Sequence, residues 1–312
     1  MDIILHIGAH RTGINDFHGY LHQHKAELSA QGVGILYPQR LHGNIQICAQ
    51  REAQRMGKKL PTEPAARASV QLERMSQQKM RQVIVSDASI AGTLQGNLQQ
   101  ASLYPAIKHR VAHAAKIFEG RIKTIVLCPR SLENFWHSAV ATAVATGASV
   151  PDKERLDRIA LSRRGWRDVI SDVARAVPGV SLRVLPFEAF EGRPDTLLER
   201  GAGIAPPATF TRPWVDKTPT LPGLRRVLRE RGDAAVHLPF GMGHWNPFTN
   251  DAHAALRELY ADDMMWLTAG ADGLATLIED CRQDRAGKTQ PLAVQKEGHP
   301  DELEERRMAR PC

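Results

Sequence analysis

The stretch Asp2-Ile3-Ile4-Leu5-His6-Ile7-Gly8-Ala9-His10-Arg11-Thr12-Gly13 joins a short apolar run to a loop with glycine at both ends. A β-rich apolar run that ends in glycine is typical of a buried strand. Apolar residues then recur at helical spacing from a start near Ile14, and Gly32 follows as a stop. The stretch therefore predicts a strand, a tight loop and a helix, in that order.

The same alternation continues along the chain. Four further β-rich runs are separated by segments long enough for helices: Val33 to Tyr37, Val83 to Val85, Ile122 to Leu127 and Leu182 to Leu185. Strands that alternate with helices indicate a parallel sheet with right-handed crossovers. We therefore predict an α/β fold, a doubly wound parallel sheet of about five strands flanked by helices.

The helix that follows the run from Ile122 to Leu127 has the plainest pattern. Its apolar residues share one face from Leu132 to Val144, Gly147 follows as a stop, and Ser131 is a suitable N-cap. Later candidate helices are Pro194 to Arg200, Leu221 to Arg231, Asp251 to Thr268 and Ala271 to Arg282. We expect these later helices to cover the sheet or a site at its edge.

The domain organisation follows from length and composition. A chain of 312 residues with 42% hydrophobic content can bury one large core. From about Gln283 the sequence is rich in charge, Pro and Gly and has no apolar period, as in segments that stay mobile. We predict one domain, residues 1–282, and a charged, disordered tail, residues 283–312.

The balance of charges narrows the choice of partners. A formal charge of +7 and an isoelectric point near 9.4 favour anionic ligands, such as nucleotides, nucleic acid or acidic glycans. Nucleic acid is disfavoured because the basic residues are scattered and no known binding motif is present. No apolar run approaches the roughly 18 residues of a membrane span, and the first residues are unlike a cleavable signal. We therefore expect a cytoplasmic protein that binds no membrane, and the four widely spaced cysteines argue against structural zinc.

The loop from Gly8 to Gly13 has the arrangement of a phosphate site. A tight turn between a strand and a helix aims backbone N–H groups and the helix N-terminus at an anion. The two glycines stand where Walker A glycines stand, but Ile14-Asn15 follows where an ATPase or GTPase needs Lys and then Ser or Thr. The sequence therefore disfavours an ordinary P-loop NTPase, while Arg11 supplies a basic group inside the loop.

Two signatures resemble the sulfotransferase family. The stretch from His6 to Asn15 resembles its 5′-phosphosulfate loop, which reads approximately His-x-Gly-x-x-Lys-Thr-Gly-Thr-Thr. The family also has an Arg after a later strand and a Ser eight residues on, and Arg130 and Ser138 have this spacing. An arginine fork and a hydroxyl suit a phosphate monoester dianion. The resemblance extends over residues 1 to about 280.

The resemblance implies a P-loop sulfotransferase-like fold and a metal-free reaction. A sulfuryl group would pass from 3′-phosphoadenosine 5′-phosphosulfate (PAPS) to a hydroxyl or amine acceptor, a small molecule or a glycan. Arg11 would stabilise the leaving group. The residues implied in binding the nucleotide are Arg11, Thr12, Gly13, Ile14, Asn15, Arg130 and Ser138.

Sulfuryl transfer also needs a base that takes the acceptor's proton. Asp87 is the first candidate because it follows a strand directly, at the edge where such folds bind ligands, and His10 is the second. In the sequence Ser-Asp-Ala-Ser, however, Asp87 is equally well suited to an N-cap or turn.

Departures from the family pattern support an alternative. Arg11 replaces a lysine, Ile14-Asn15 replaces two threonines, and the charge of Asp16 competes with a bound anion. The alternative is a catalytically degenerate protein of the same fold, acting as a nucleotide-binding or interaction module. His18 and His22 have metal-ligand spacing, but without an evident third ligand they are interpreted as a solvated helix face.

Overall fold

The computed structural model describes residues 1–36, 64–208, 217–233 and 238–279. The strands are β1 Asp2–His6, β2 Val33–Leu36, β3 Gln82–Ser86, β4 Ile122–Leu127, β5 Ser181–Val184 and β6 Thr276–Leu277. They form one six-stranded sheet in the order β2-β3-β1-β4-β5-β6, and every adjacent pair is parallel. The predicted parallel α/β sheet is therefore confirmed, with one strand more than expected.

Apolar side chains cover both faces of this sheet. In the central strand β1, Ile3 and Leu5 contribute to the core on one face, and Ile4 contributes to the core on the other. Successive side chains of a strand point to opposite faces, so a strand buried on both sides reads as a continuous apolar run. This is why the strands could be recognised in the sequence.

Helices flank the sheet. They are α1 Ile14–Gln23, α2 Lys25–Ala30, α3 Pro64–Gln77, α4 Leu94–Gln100, α5 Ile107–Ile117, α6 Leu132–Ala145, α7 Lys153–Ala160, α8 Trp166–Ala176, α9 Phe187–Phe190, α10 Pro194–Thr196, α11 Leu221–Glu230 and α12 Asn250–Thr268. Trp136 of α6 and Trp166 of α8 are buried in the larger core, and Phe17 and Tyr20 of α1 are buried in the smaller one. Within the ranges described, no helix is long and apolar enough to cross a membrane.

The end of the described chain corrects one prediction. The helix expected from Ala271 to Arg282 is wrong, because a short 3₁₀ turn, Ala271–Gly273, leads instead into β6. Gly270 and Gly273 have φ values of 101° and 74°, which interrupt a right-handed helix. β6 pairs with β5, and the Ile278 N–H donates to the Val184 carbonyl at 2.8 Å. Residues 280–282 and the predicted tail, 283–312, lie outside the described residues.

The helix layer fixes the chain at the end of β4. The carboxylate of Asp263, on α12, accepts hydrogen bonds from the backbone N–H groups of Trp166 (2.6 Å) and Arg167 (3.2 Å) and thereby caps α8. The Trp166 indole N–H in turn donates to the carbonyl oxygen of Arg130 at 2.7 Å. Burial raises the pKa of Asp263 to about 6. The backbone of Arg130 is therefore held in place from α8 and α12.

Candidate functional site

The candidate site lies at the carboxyl ends of β1 and β4. From β1 the chain continues to β2 on one side of the sheet, and from β4 it continues to β5 on the other side. Ligands of open α/β sheets bind in the crevice at such a switch point. The two strand ends are joined directly, because the Cys128 N–H donates to the Gly8 carbonyl at 2.6 Å and the Ala9 N–H donates to the Cys128 carbonyl at 3.2 Å.

The loop after β1 owes its shape to three residues with positive φ. These are Gly8 (92°), Arg11 (63°) and Gly13 (73°), and Gly13 is also the N-cap of α1. A Cβ on Gly8 would lie 3.0 Å from the Cβ of Ala88, so a side chain there would be crowded as well as strained. The Thr12 hydroxyl donates to the Ala9 carbonyl at 2.7 Å and closes the loop on itself.

Three of the predicted nucleotide-binding residues are in contact. Arg11 Nε donates to Ser138 Oγ at 2.8 Å, and Arg130 Nη1 donates to the Arg11 carbonyl at 2.9 Å. Thr218 Oγ1 lies 2.9 Å from the same Ser138 oxygen. Burial lowers the pKa of Arg130 and the Arg11 guanidinium lowers it further, whereas Glu188 raises it. The structure thus brings two arginines and a hydroxyl from the two predicted signatures into one cluster.

The space beside the loop is small. A cavity of about 20 Å³ borders Thr12 and Gly13, and Asp16 also lines it. Such a volume holds about one water molecule. Of the other predicted residues, Ile14 is half-buried and Asn15 is exposed on the first turn of α1. Arg11, Arg130 and Ser138 are therefore close together, and the cavity that described residues form at Thr12 and Gly13 is small.

Asp87 and His10, the two candidate bases, are held by separate contacts. Asp87 is buried, and its Oδ1 accepts the backbone N–H of Ser89 at 2.8 Å, as expected for the N-cap alternative. The His10 backbone N–H donates to the Tyr104 hydroxyl at 2.9 Å, and that hydroxyl lies 2.9 Å from His10 Nδ1. The hydroxyl oxygen can accept more than one hydrogen bond, so the contact fits either tautomer of neutral His10. Burial, with Arg110 and Arg11, lowers the pKa of His10 to about 4.

A buried cluster beside the loop was missed in the sequence. Ser86 Oγ lies 2.8 Å from His6 Nδ1 and 2.9 Å from His18 Nε2, and His18 Nε2 also lies 3.1 Å from the Ser86 carbonyl. A carbonyl only accepts, so His18 Nε2 carries a proton, and the Ser86 hydroxyl lies between the two rings. Burial and His18 lower the pKa of His6 to about 3. The solvated-face interpretation of His18 was therefore wrong, and among the described side chains no group is arranged to hold a metal ion.

A second set of histidines adjoins Ser138. The rings of His137 and His244 are 6.1 Å apart between centroids, and the buried His137 Nε2 has no hydrogen-bond partner among the described residues. Burial lowers the pKa of His137 to about 4, and His244, Arg130 and His253 contribute in the same direction. The sequence pointed to this pair of histidines only through the position of His137, which directly precedes Ser138. The loop that carries His244 therefore lies next to the candidate phosphate-binding cluster.

No family model, curated protein or solved structure matches the chain.

Proposed function

We propose that the protein binds PAPS at the carboxyl ends of β1 and β4 and transfers its sulfuryl group to a hydroxyl or amine acceptor. The observation that supports this most is the contact of Arg11 with Ser138 and of Arg130 with the Arg11 backbone. Arg11 and Ser138 are 127 positions apart in the chain, and Arg11 and Arg130 are 119 positions apart. The three residues come from the two signatures that resemble sulfotransferases. The parallel sheet with its switch point between β1 and β4 supports the P-loop sulfotransferase-like fold.

The electrostatics of the cluster favour a phosphate. Burial lowers the pKa of Arg130, Glu188 raises it, and the Arg11 guanidinium lowers it through repulsion between like charges. A phosphate dianion between them would relieve this repulsion and would accept charge-assisted hydrogen bonds from both. The Ser138 hydroxyl and the N–H groups at the start of α1 add further donors.

The proposed reaction assigns a task to each residue. The acceptor oxygen or nitrogen attacks the sulfur, the bond from sulfur to the 5′-phosphate oxygen breaks, and the acceptor's proton passes to a base. Arg11 and the loop stabilise the charge on the leaving phosphate. Asp87 is the first candidate base and His10 the second, because His10 Nδ1 is already in contact with the Tyr104 hydroxyl. The partners are an anionic nucleotide and a small-molecule or glycan acceptor, and the expected compartment is the cytoplasm.

One observation favours the alternative of a catalytically degenerate nucleotide-binding or interaction module. The cavity beside Thr12 and Gly13 has a volume of about 20 Å³, and the carboxylate-bearing Asp16 lines it. This cavity is too small for a 5′-phosphosulfate. The two possibilities differ in whether the loop still accepts the sulfuryl end of the donor.

Calorimetric titration with adenosine 3′,5′-bisphosphate tests nucleotide binding. We expect micromolar affinity in the wild type and a loss of binding in both Arg11→Ala and Arg130→Ala. The control variant is Arg226→Ala, which removes an exposed arginine paired with Glu230 on α11 and should leave the affinity unchanged. ATP with Mg²⁺ is the control ligand and should not bind.

An assay of PAPS turnover, combined with the bisphosphate titration, distinguishes the transferase from the degenerate module. Binding of the bisphosphate together with hydrolysis or transfer of radiolabelled sulfate from PAPS would support the transferase. Binding of the bisphosphate without either reaction, across a screen of hydroxyl and amine acceptors, would favour the degenerate module. An absence of nucleotide binding in the wild type would contradict the transferase and would favour a degenerate protein that acts as an interaction module.

A further inference from the structure

A second cavity lies away from the candidate phosphate site. It has a volume of about 570 Å³ and lies between α4, α6, the turn after α6 and the start of α7. Cavities that bind small molecules are typically about 300–1,000 Å³. The lining residues of α6 are Val140, Ala143 and Val144, whereas Ser138 faces Arg11. Ser138 and Val140 are two positions apart, about 200° around the helix, so the two sites use nearly opposite faces of α6.

The walls of this cavity are mainly apolar. The apolar residues that line it are Leu98, Val140, Ala143, Val144, Val150 and Pro151. The polar side chains at the cavity include Gln95 and Gln99, which are one helical turn apart on α4 and exposed. This combination suits a ligand that has an apolar body and a polar end.

One cation and one anion complete the lining. Arg155 is half-buried, and its Nη1 contacts the carbonyls of Leu98 and Gln99 at 3.3 and 3.4 Å. Among the described residues Arg155 forms no ion pair, so its guanidinium is available for a carboxylate. Asp152 accepts the Arg155 backbone N–H through Oδ1 at 2.8 Å, and Asp152 is also a lining residue of the cavity. The nearly balanced charge disfavours a dianion such as a phosphate monoester.

We propose that this cavity binds a small zwitterion with an apolar body, such as an aromatic amino acid. Arg155 binds the carboxylate in a planar fork, and Asp152 binds the ammonium group. The apolar body packs against the half-buried Leu98, Val150 and Pro151. This site does not depend on the proposed transferase activity, because its residues are separate from those that contact Arg11 and Arg130.

Three related probes test the proposal by ligand-observed NMR titration. L-Tryptophan carries both charges, indole-3-propionate lacks the ammonium group, and tryptamine lacks the carboxylate. For a ligand of this size we expect a dissociation constant on the order of 0.1 mM for L-tryptophan and at least tenfold weaker binding of the other two.

Two variants separate the charges. Arg155→Met keeps the aliphatic stem and should weaken L-tryptophan and indole-3-propionate about tenfold while leaving tryptamine unchanged. Asp152→Asn keeps an oxygen that can cap α7 and should weaken L-tryptophan and tryptamine while leaving indole-3-propionate unchanged. Arg158→Met, an exposed position on the same helix, is the matched control and should bind all three probes as the wild type does.

A third variant tests the location of the site. Ala143→Phe fills the cavity and should weaken all three probes, with an unchanged circular dichroism spectrum as evidence of folding. An absence of L-tryptophan binding to the wild type would overturn the proposal, as would equal effects of Arg155→Met and Arg158→Met. Loss of L-tryptophan binding in Arg11→Ala would also overturn it, since the probe would then occupy the phosphate site. Failure of bisphosphate binding alone would contradict only the proposed function.

Discussion

The junctions after β1 and after β4 lie side by side, but they are built in different ways. The loop from Gly8 to Gly13 is shaped by its own backbone, with three positive φ values and an internal bond from Thr12 to Ala9. The junction after β4 is held from outside, because Trp166 donates to the Arg130 carbonyl and Glu188 Oε1 accepts the Ser131 N–H at 2.8 Å. One junction therefore presents backbone groups in a fixed conformation, and the other presents side chains whose positions depend on distant elements.

The largest expected effect concerns the backbone of the first junction. Gly8→Ala adds a Cβ at positive φ and 3.0 Å from Ala88, so we expect the free energy of unfolding to fall by about 3 kcal/mol. Gly120→Ala is the matched control, because Gly120 has φ of 69° but open space around its Cβ, and it should cost only about 1 kcal/mol. Denaturant unfolding measures both. Equal costs would mean that crowding against Ala88 does not shape the loop.

The second prediction compares the two arginines. Arg130→Lys keeps the charge but loses the planar fork, so we expect the affinity for adenosine 3′,5′-bisphosphate to fall about thirtyfold. Arg11→Lys should change it by less than about threefold, because a point charge within the loop suffices next to a phosphate. Calorimetry measures both affinities. A larger loss in Arg11→Lys than in Arg130→Lys would reverse the roles that we assign to the two junctions.

The third prediction tests whether the junctions are coupled through Ser138. Ser138→Ala removes the acceptor of Arg11 Nε, and both groups are buried. We expect Ser138→Ala to lower the free energy of unfolding by about 1 kcal/mol and to be non-additive with Arg11→Ala by a similar amount. A double-mutant cycle from denaturant unfolding gives the coupling. Strict additivity would show that the bond contributes nothing to stability.

The smallest expected effect concerns Asp263, which holds Trp166 and through it the Arg130 carbonyl at the junction after β4. The pKa of Asp263 in the folded protein, about 6, exceeds its ordinary value of 3.8, so between these values the folded state binds more protons than the unfolded chain. The contribution of this group to the free energy of unfolding therefore rises as the pH falls from about 6 to 4. Asp263→Asn should remove a change on the order of 1 kcal/mol over this interval. Parallel pH profiles of wild type and variant that differ only by a constant would contradict this assignment.

Much of the fold was predictable because its signals are local. The five predicted strands were correct to within a residue or two where the structure describes them, because they are buried on both faces and read as apolar runs. β6 was missed because a strand of two residues shows no periodicity. Gly270 and Gly273, which precede β6, were also not interpreted as helix stops. Ser131 stands at the predicted N-cap of α6, but its hydroxyl makes no capping bond and instead accepts from Asn134 at 2.8 Å.

The candidate site was predictable only in part. Arg11, Arg130 and Ser138 could be named because glycine spacing and the distance of eight residues are visible in one dimension. The bond of Arg11 to Ser138 could not be foreseen, and neither could the contact of His10 with Tyr104, which spans 94 positions.

The sequence by itself determined the alternation of strands and helices, the glycine-bounded loop and the spacing of Arg130 and Ser138, since these are consequences of backbone conformation and apolar periodicity. Only the tertiary structure decided which buried groups meet: Ser86 between His6 and His18, and Asp263 at the N-terminus of α8. The physical reason is that a buried polar group must find a partner, and the partner is selected by the packing of elements that are far apart in the chain.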